Sequence, residues 1–96
     1  MQLKILGCSG GVGGGNLTTA FLLDECVLID AGSGVGSLSL DALQKIEHVF
    51  LTHAHFDHIA CLPMLLDTLA GCRNGHSVTV HASAATIACL REHVFN

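Results

Sequence analysis

Apolar and polar positions change period several times along this chain, and each change marks an element. Leu3-Lys4-Ile5-Leu6 reads as an opening strand, and the glycine-rich run over residues 7–16 reads as a loop. Residues 17–23 and 26–29 are apolar and partly β-branched, with the polar pair Asp24-Glu25 between them, which predicts a hairpin. Asp30-Ala31-Gly32 ends the third strand, and residues 33–37 form a second loop. Leu40, Leu43 and Ile46 at threefold spacing predict a short helix over residues 38–46, after which His48 opens a strand through Val49-Phe50-Leu51. Ile59, Leu62, Leu65, Leu66 and Leu69 have helical period. Pro63 belongs in that helix's first turn, which places its start near Cys61 or Leu62, and Gly71 is its expected end. Residues 77–81 predict another strand, and Ser83 is a fitting N-cap for a last helix with Ile87, Leu90 and Val94 on one face. Three strands, then strand and helix in alternation, predict an α/β (α+β) domain: a mixed sheet with helices packed on one face.

Composition narrows this picture. At 96 residues, half of them hydrophobic and 12% charged, the chain can build one small domain around a modest core. Its longest uncharged apolar stretches fall well short of the ~20 residues that a bilayer span needs. Residues 1–6 run into glycines rather than into an apolar segment with a cleavage site, so no signal peptide is read and a cytoplasmic location is expected. The five cysteines are odd in number and form no CxxC pair, which favours free thiols over a disulfide framework. The net charge is −4, and Lys4, Lys45, Arg73 and Arg91 are scattered, so no basic patch offers itself to a nucleic-acid backbone. A small anionic phosphodiester fits that charge balance better. The glycine loop matches neither the P-loop nor GxGxxG, which leaves a surface turn or a loop that a ligand can approach closely.

The chemistry concentrates in His53, His55, Asp57 and His58, four ligand-type side chains within six positions directly after the apolar run 49–51. In an extended segment His53 and His55 project to the same side and can converge on one ion, whereas a helix would set them roughly 200° apart. Asp57 and His58 are adjacent, so on an extended chain they point apart and can serve a second ion. Imidazole and carboxylate without thiolate suit zinc, manganese or iron. Two close divalent cations can lower the pKa of a shared water toward ~7 and polarise a phosphoryl or carbonyl oxygen, which makes hydrolysis the expected reaction class. Asp57, the only carboxylate in the cluster, is the candidate both for metal ligation and for orienting or deprotonating the attacking water. Asp30 is either a turn cap or a group whose hydrogen bond orients the histidine loop. His48 reads as an edge or structural histidine, and His76, His81 and His93, each isolated, as structural or solvent-exposed.

The motif HxHxDH at residues 53–58, preceded by Thr52 and upstream by Val27-Leu28-Ile29-Asp30-Ala31-Gly32, resembles the metallo-β-lactamase superfamily. The resemblance implies an αββα sandwich with two divalent metal ions at one edge, zinc first among the candidates. It puts His53 and His55 on one ion and Asp57 and His58 on the other, with Asp30 and Thr52 supporting them. The glycine-rich start and the closing stretch over residues 82–96 are similar to class II cyclic-nucleotide phosphodiesterases, which implies hydrolysis of 3',5'-cyclic nucleotides. The alternatives are a ribonuclease Z-like endonuclease that processes transfer-RNA 3' ends, against which the few basic residues count, and a non-catalytic metal-binding fragment. Where the family carries a small Gly this chain has Cys61. The family's domain continues beyond such a segment and takes further ligands there, so residues 1–96 are expected to be the N-terminal portion of a single domain, inactive alone. Half a sandwich exposes apolar sheet, which predicts homo-oligomers or aggregates for the isolated chain.

Overall fold

The polar pair Asp24-Glu25 turns the chain back on itself with left-handed backbones at both residues, φ 49° and 66°, the sense that suits the twist of a hairpin. It joins β2 (Ala20–Leu23) to β3 (Val27–Ile29), and β1 (Leu3–Gly7) flanks β2. These three are antiparallel neighbours, while β4 (His48–Phe50) and β5 (Thr79–His81) follow parallel to β3. The computed structural model describes residues 1–72 and 77–95, and among them the five strands form one mixed sheet in the order β1-β2-β3-β4-β5. The position of His76 lies outside the described residues.

Strand β2 begins three residues later than its apolar pattern suggests. Thr18 is buried and exchanges two bonds with Ser33: the Thr18 amide donates to Ser33 Oγ at 2.7 Å, and the Ser33 amide donates to Thr18 Oγ1 at 2.6 Å. Those bonds draw residues 17–19 toward the segment after β3. That segment is a short 3-10 turn over Ser33–Ser37 rather than an irregular loop.

Helix α1 (Leu40–Gln44) is shorter than its threefold leucine spacing predicts. Ser39 caps it, its Oγ accepting from the Ala42 amide at 3.2 Å. Leu40 is exposed, and only Leu43 and Ile46 of the three reach the core. The apolar series from Ile59 divides between two helices: the single turn α2 (Phe56–Ile59) and α3 (Leu62–Cys72). Pro63 is the second residue of α3, where its missing N–H has no intrahelical partner to lose. Gly71 does not end α3, which continues to Cys72. Helix α4 (Ala84–His93) starts at Ser83, whose side chain accepts from the Thr86 amide at 3.2 Å.

Register sorts the sheet into rows. Leu22, Leu28, Val49 and Val80 share one row across β2 to β5. Three of them are buried with Ile46, Ile59, Leu62, Leu65, Leu69 and Leu90, so the helices cover this face. The next row is Ile5, Phe21, Ile29, Phe50 and His81 on the opposite face. Ile5 there is 62% exposed and Phe50 44%.

Candidate metal centre

Strand β4 is apolar and parallel to its neighbours, so it is held on both sides and delivers the chain to one edge of the sheet. The cluster begins two residues after the buried Leu51. Its first half is extended: His55 has φ −68° and ψ 144°, and the rings of His53 and His55 meet edge to face with centroids 4.5 Å apart. The second half is not extended. Asp57 and His58 lie on α2, closed by the His58 amide donating to the His55 carbonyl at 2.9 Å and the Ala60 amide to the Phe56 carbonyl at 2.8 Å. Adjacent side chains on a turn of helix do not point apart as they do on a strand. His58 Nε2 lies 3.4 Å from Asp57 Oδ2, and the His58 ring sits 4.0 Å from that of His53. All four side chains therefore belong to one patch.

Beneath the patch lies Asp30, only 2% exposed, with a left-handed backbone at φ 61°. That conformation is unfavourable for a residue with a Cβ, though less so for Asp than for most. Its own amide donates to the Phe50 carbonyl at 2.8 Å, which ties the end of β3 to β4. Its carboxylate accepts from the Thr52 amide, from Thr52 Oγ1 and from His58 Nδ1, each at 2.8 Å.

These contacts settle where two protons sit. A carboxylate only accepts, so His58 Nδ1 carries a proton, and in the neutral imidazole a metal requires Nε2 keeps the lone pair. The single hydroxyl proton of Thr52 is committed to Asp30, so at 2.9 Å the Thr52 oxygen accepts from His53 Nδ1. His53 Nε2 is then a lone-pair donor as well. One buried carboxylate thus sets the tautomer of two imidazoles, directly for His58 and through Thr52 for His53. This is the arrangement by which outer groups orient metal-binding histidines.

The backbone behind the site is packed without slack. The Ala31 amide donates to the His58 carbonyl at 2.7 Å, and the Cys61 amide to the Ala31 carbonyl at 2.8 Å. Gly32 lies so close to α2 that a Cβ there would collide with the Asp57 carbonyl oxygen and with Thr18 Oγ1. Cys61, between α2 and α3, packs against the core, and burial pushes its thiol pKa up, away from reactivity. All five cysteines are free. The glycine loop stands apart: Gly10, Gly11, Gly13, Gly14 and Gly15 have open space around them.

By donor chemistry the cluster suits a divalent ion: three imidazoles, two of them with defined tautomers, and one carboxylate. In this arrangement the rings pack on one another, and no three ligand-type side chains among the described residues are grouped to hold an ion. Closing on one requires the rings to part.

His48, read from the sequence as an edge or structural histidine, and His81, read as isolated, come together elsewhere. His48 is on β4, inside the sheet rather than at its edge. Its Nδ1 lies 3.0 Å from Nε2 of His81 on β5. The signal was present as strand parity, but the pairing of β4 with β5 could not be read before the fold.

A family model for the metallo-beta-lactamase superfamily matches residues 13–84. A ribonuclease Z from Bradyrhizobium diazoefficiens is 30% identical over 88% of this chain and 31% of its own length. A protein named probable 3',5'-cyclic-nucleotide phosphodiesterase, from Yersinia pestis, is 30% identical over 99% of this chain and 34% of its own. The crystal structure of the metallo-beta-lactamase fold protein YhfI from Bacillus subtilis superposes with a TM-score of 0.75 at 25% identity, covering 94% of this chain and 40% of that one. The chain spans about a third of the length of the two curated relatives. On the family match and the superposed sheet together, the chain belongs to the metallo-β-lactamase superfamily.

Proposed function

We propose that this chain carries the first half of a divalent-metal site in a hydrolase of phosphodiesters, and that the complete protein acts on 3',5'-cyclic nucleotides. The observation that carries the reading is the buried Asp30 carboxylate, which holds a proton on Nδ1 of both His53 and His58 and so makes Nε2 of each neutral ring the metal donor. His53 and His55 would hold one ion and Asp57 and His58 another, with zinc the expected metal. When bound, such ions supply Lewis-acid polarisation of the phosphodiester and of the attacking water.

The chain's own groups do the rest. Asp30 and Thr52 hold the His53 and His58 protons at Nδ1, so neither imidazole gives up a ligand position to a tautomer change. Asp57, 3.4 Å from His58 Nε2, is the carboxylate placed to orient water or to take its proton. The apolar floor made by Leu51 and Ile59, both buried, limits water behind the cluster.

Two features favour a small cyclic phosphodiester: the relative with that name aligns over 99% of this chain, and basic residues are few. The second reading is ribonuclease Z-like cleavage of RNA, favoured by the relative of that name. The test is hydrolysis of cyclic AMP and of a transfer-RNA precursor by the complete gene product, with metal content measured alongside. Cyclic AMP turnover that disappears in Asp57→Ala, together with lost metal, is the expected result. Turnover of the RNA alone would overturn the substrate assignment. A gene product that binds no metal, or that keeps its full metal content in Asp57→Ala, would overturn the site.

A further inference from the structure

The helix-covered row through Leu22, Leu28, Val49 and Val80 begins on strand β1 with Lys4, directly across from Leu22. A cation at the head of an otherwise apolar row marks where the helices stop. There, between β1 and α1, a cleft of about 290 Å³ remains. Its floor is the buried Leu22 with the half-buried Leu38 and Ala42, and its exposed rim carries Lys4 and Lys45 together with Gln2 and Glu25. Two of the four fixed cations thus meet at one cleft of a chain whose net charge is −4. The Gln2 amide donates to Asp24 Oδ1 at 2.7 Å and the Asp24 amide to the Gln2 carbonyl at 2.9 Å, which fastens the start of β1 to the hairpin turn. That turn precedes β3, whereas the cluster at residues 53–58 follows the far end of β4, which runs parallel to β3. The cleft therefore takes no group from the metal centre. It opens on the helix side, the outer side of an αββα sandwich, so a second sheet packed on the opposite face leaves it accessible.

We propose that this cleft is a second ligand site, for a small monoanionic carboxylate with an apolar body. Small-molecule sites start at about 300 Å³ and combine an apolar lining with a few polar groups, and this cleft stands at that lower end. The ligand's hydrocarbon part lies on Leu22, Leu38 and Ala42, where it leaves water. Its carboxylate meets the ammonium groups of Lys4 and Lys45, whose flexible stems reach over the rim. Glu25 decides between anions. With two cations and one carboxylate the rim carries a single positive charge, which matches a monoanion, and the Glu25 carboxylate repels the second charge of a phosphate monoester.

The test titrates the complete gene product, methyl-labelled at Leu, Ala and Ile, with hexanoate, acetate and hexyl phosphate while methyl NMR signals are followed. This readout depends neither on bound metal nor on turnover, so it is independent of the proposed activity. Hexanoate should move the methyls of Leu22, Leu38 and Ala42 saturably. Acetate should bind at least about tenfold more weakly, because each buried CH₂ is worth about fourfold, and hexyl phosphate should also bind more weakly than hexanoate. Lys4→Gln and Lys45→Gln should each weaken hexanoate about two- to fivefold, as loss of an exposed ion pair does. Glu25→Gln should tighten hexyl phosphate more than hexanoate. Movement of Ile59 beside the metal centre in place of the cleft methyls would overturn the proposal. So would hexyl phosphate binding as tightly as hexanoate, or hexanoate affinity unchanged when both lysines are replaced.

Discussion

Replacing Asp30 by Asn removes one acceptor and introduces an N–H where three donors already converge. The Thr52 amide, the Thr52 hydroxyl and His58 Nδ1 cannot all be satisfied by a single amide oxygen. Leaving one buried donor unmet costs about 1–3 kcal/mol, and losing an orienting group of this kind lowers metal affinity about 10–100-fold. Asp30→Asn is therefore expected to lower both the urea midpoint and zinc affinity of the complete protein, with zinc measured by chelator competition. Unchanged affinity would mean that the histidine tautomers do not depend on Asp30. At this scale much was legible. The four clustered ligand-type residues and Asp30 could be picked out because their side chains are chemically costly to place without purpose. The proton positions were not legible, since they depend on which oxygen meets which ring across 22 and 28 residues of separation.

Elements were legible where period and cap agreed, and blurred where a tertiary contact outweighed them. Ser83 opens α4 and Asp24-Glu25 turns the hairpin as read, because capping and turn geometry are local. The apolar series from Ile59 has one helical period, and Pro63 placed the helix start near Cys61 or Leu62, where α3 begins, but the separate turn α2 before it was not legible. The series breaks at residues 60–61 because the Cys61 amide bonds to the Ala31 carbonyl, a strand-end partner that no periodicity reveals. The same seam explains Gly32, whose place after β3 reads as a turn residue but whose reason is contact with α2. In Gly32→Ala the new Cβ must push the Asp57 carbonyl or Thr18 aside. Overpacking of this kind costs about 1–3 kcal/mol, and here it displaces the turn that carries Asp57 and His58. Gly36→Ala is the matched control, since a Cβ there meets nothing within 4 Å. Denaturant unfolding of both variants should show a clear loss for Gly32→Ala and a change within about 0.5 kcal/mol for Gly36→Ala. Equal effects would show that packing against α2 does not set the cost.

For the molecule as a whole, the two faces of the sheet have unequal fates. The face bearing Leu22, Leu28 and Val49 is buried under helices. The other carries Ile5, Phe21, Ile29 and Phe50 in one row and Leu3, Leu23 and Val27 in the next, with Leu3 59% and Ile5 62% exposed. The half-sandwich that the resemblance implies led an exposed apolar sheet to be expected, but only the topology shows which residues form it and that they run together from β1 to β4. A contiguous apolar patch of this kind drives association at about 25 cal/mol for each Å² removed from water. The 96-residue chain on its own is therefore expected to sediment as dimers or larger species at micromolar concentration. Leu3→Glu with Ile5→Glu puts two charges on the exposed edge strand β1, where each remains solvated in the monomer and is desolvated in any face-to-face contact. Sedimentation velocity should show that double variant shifted toward monomer with its circular dichroism unchanged. A wild-type chain that sediments as a monomer, or a variant as associated as wild type, would show that this face does not control assembly.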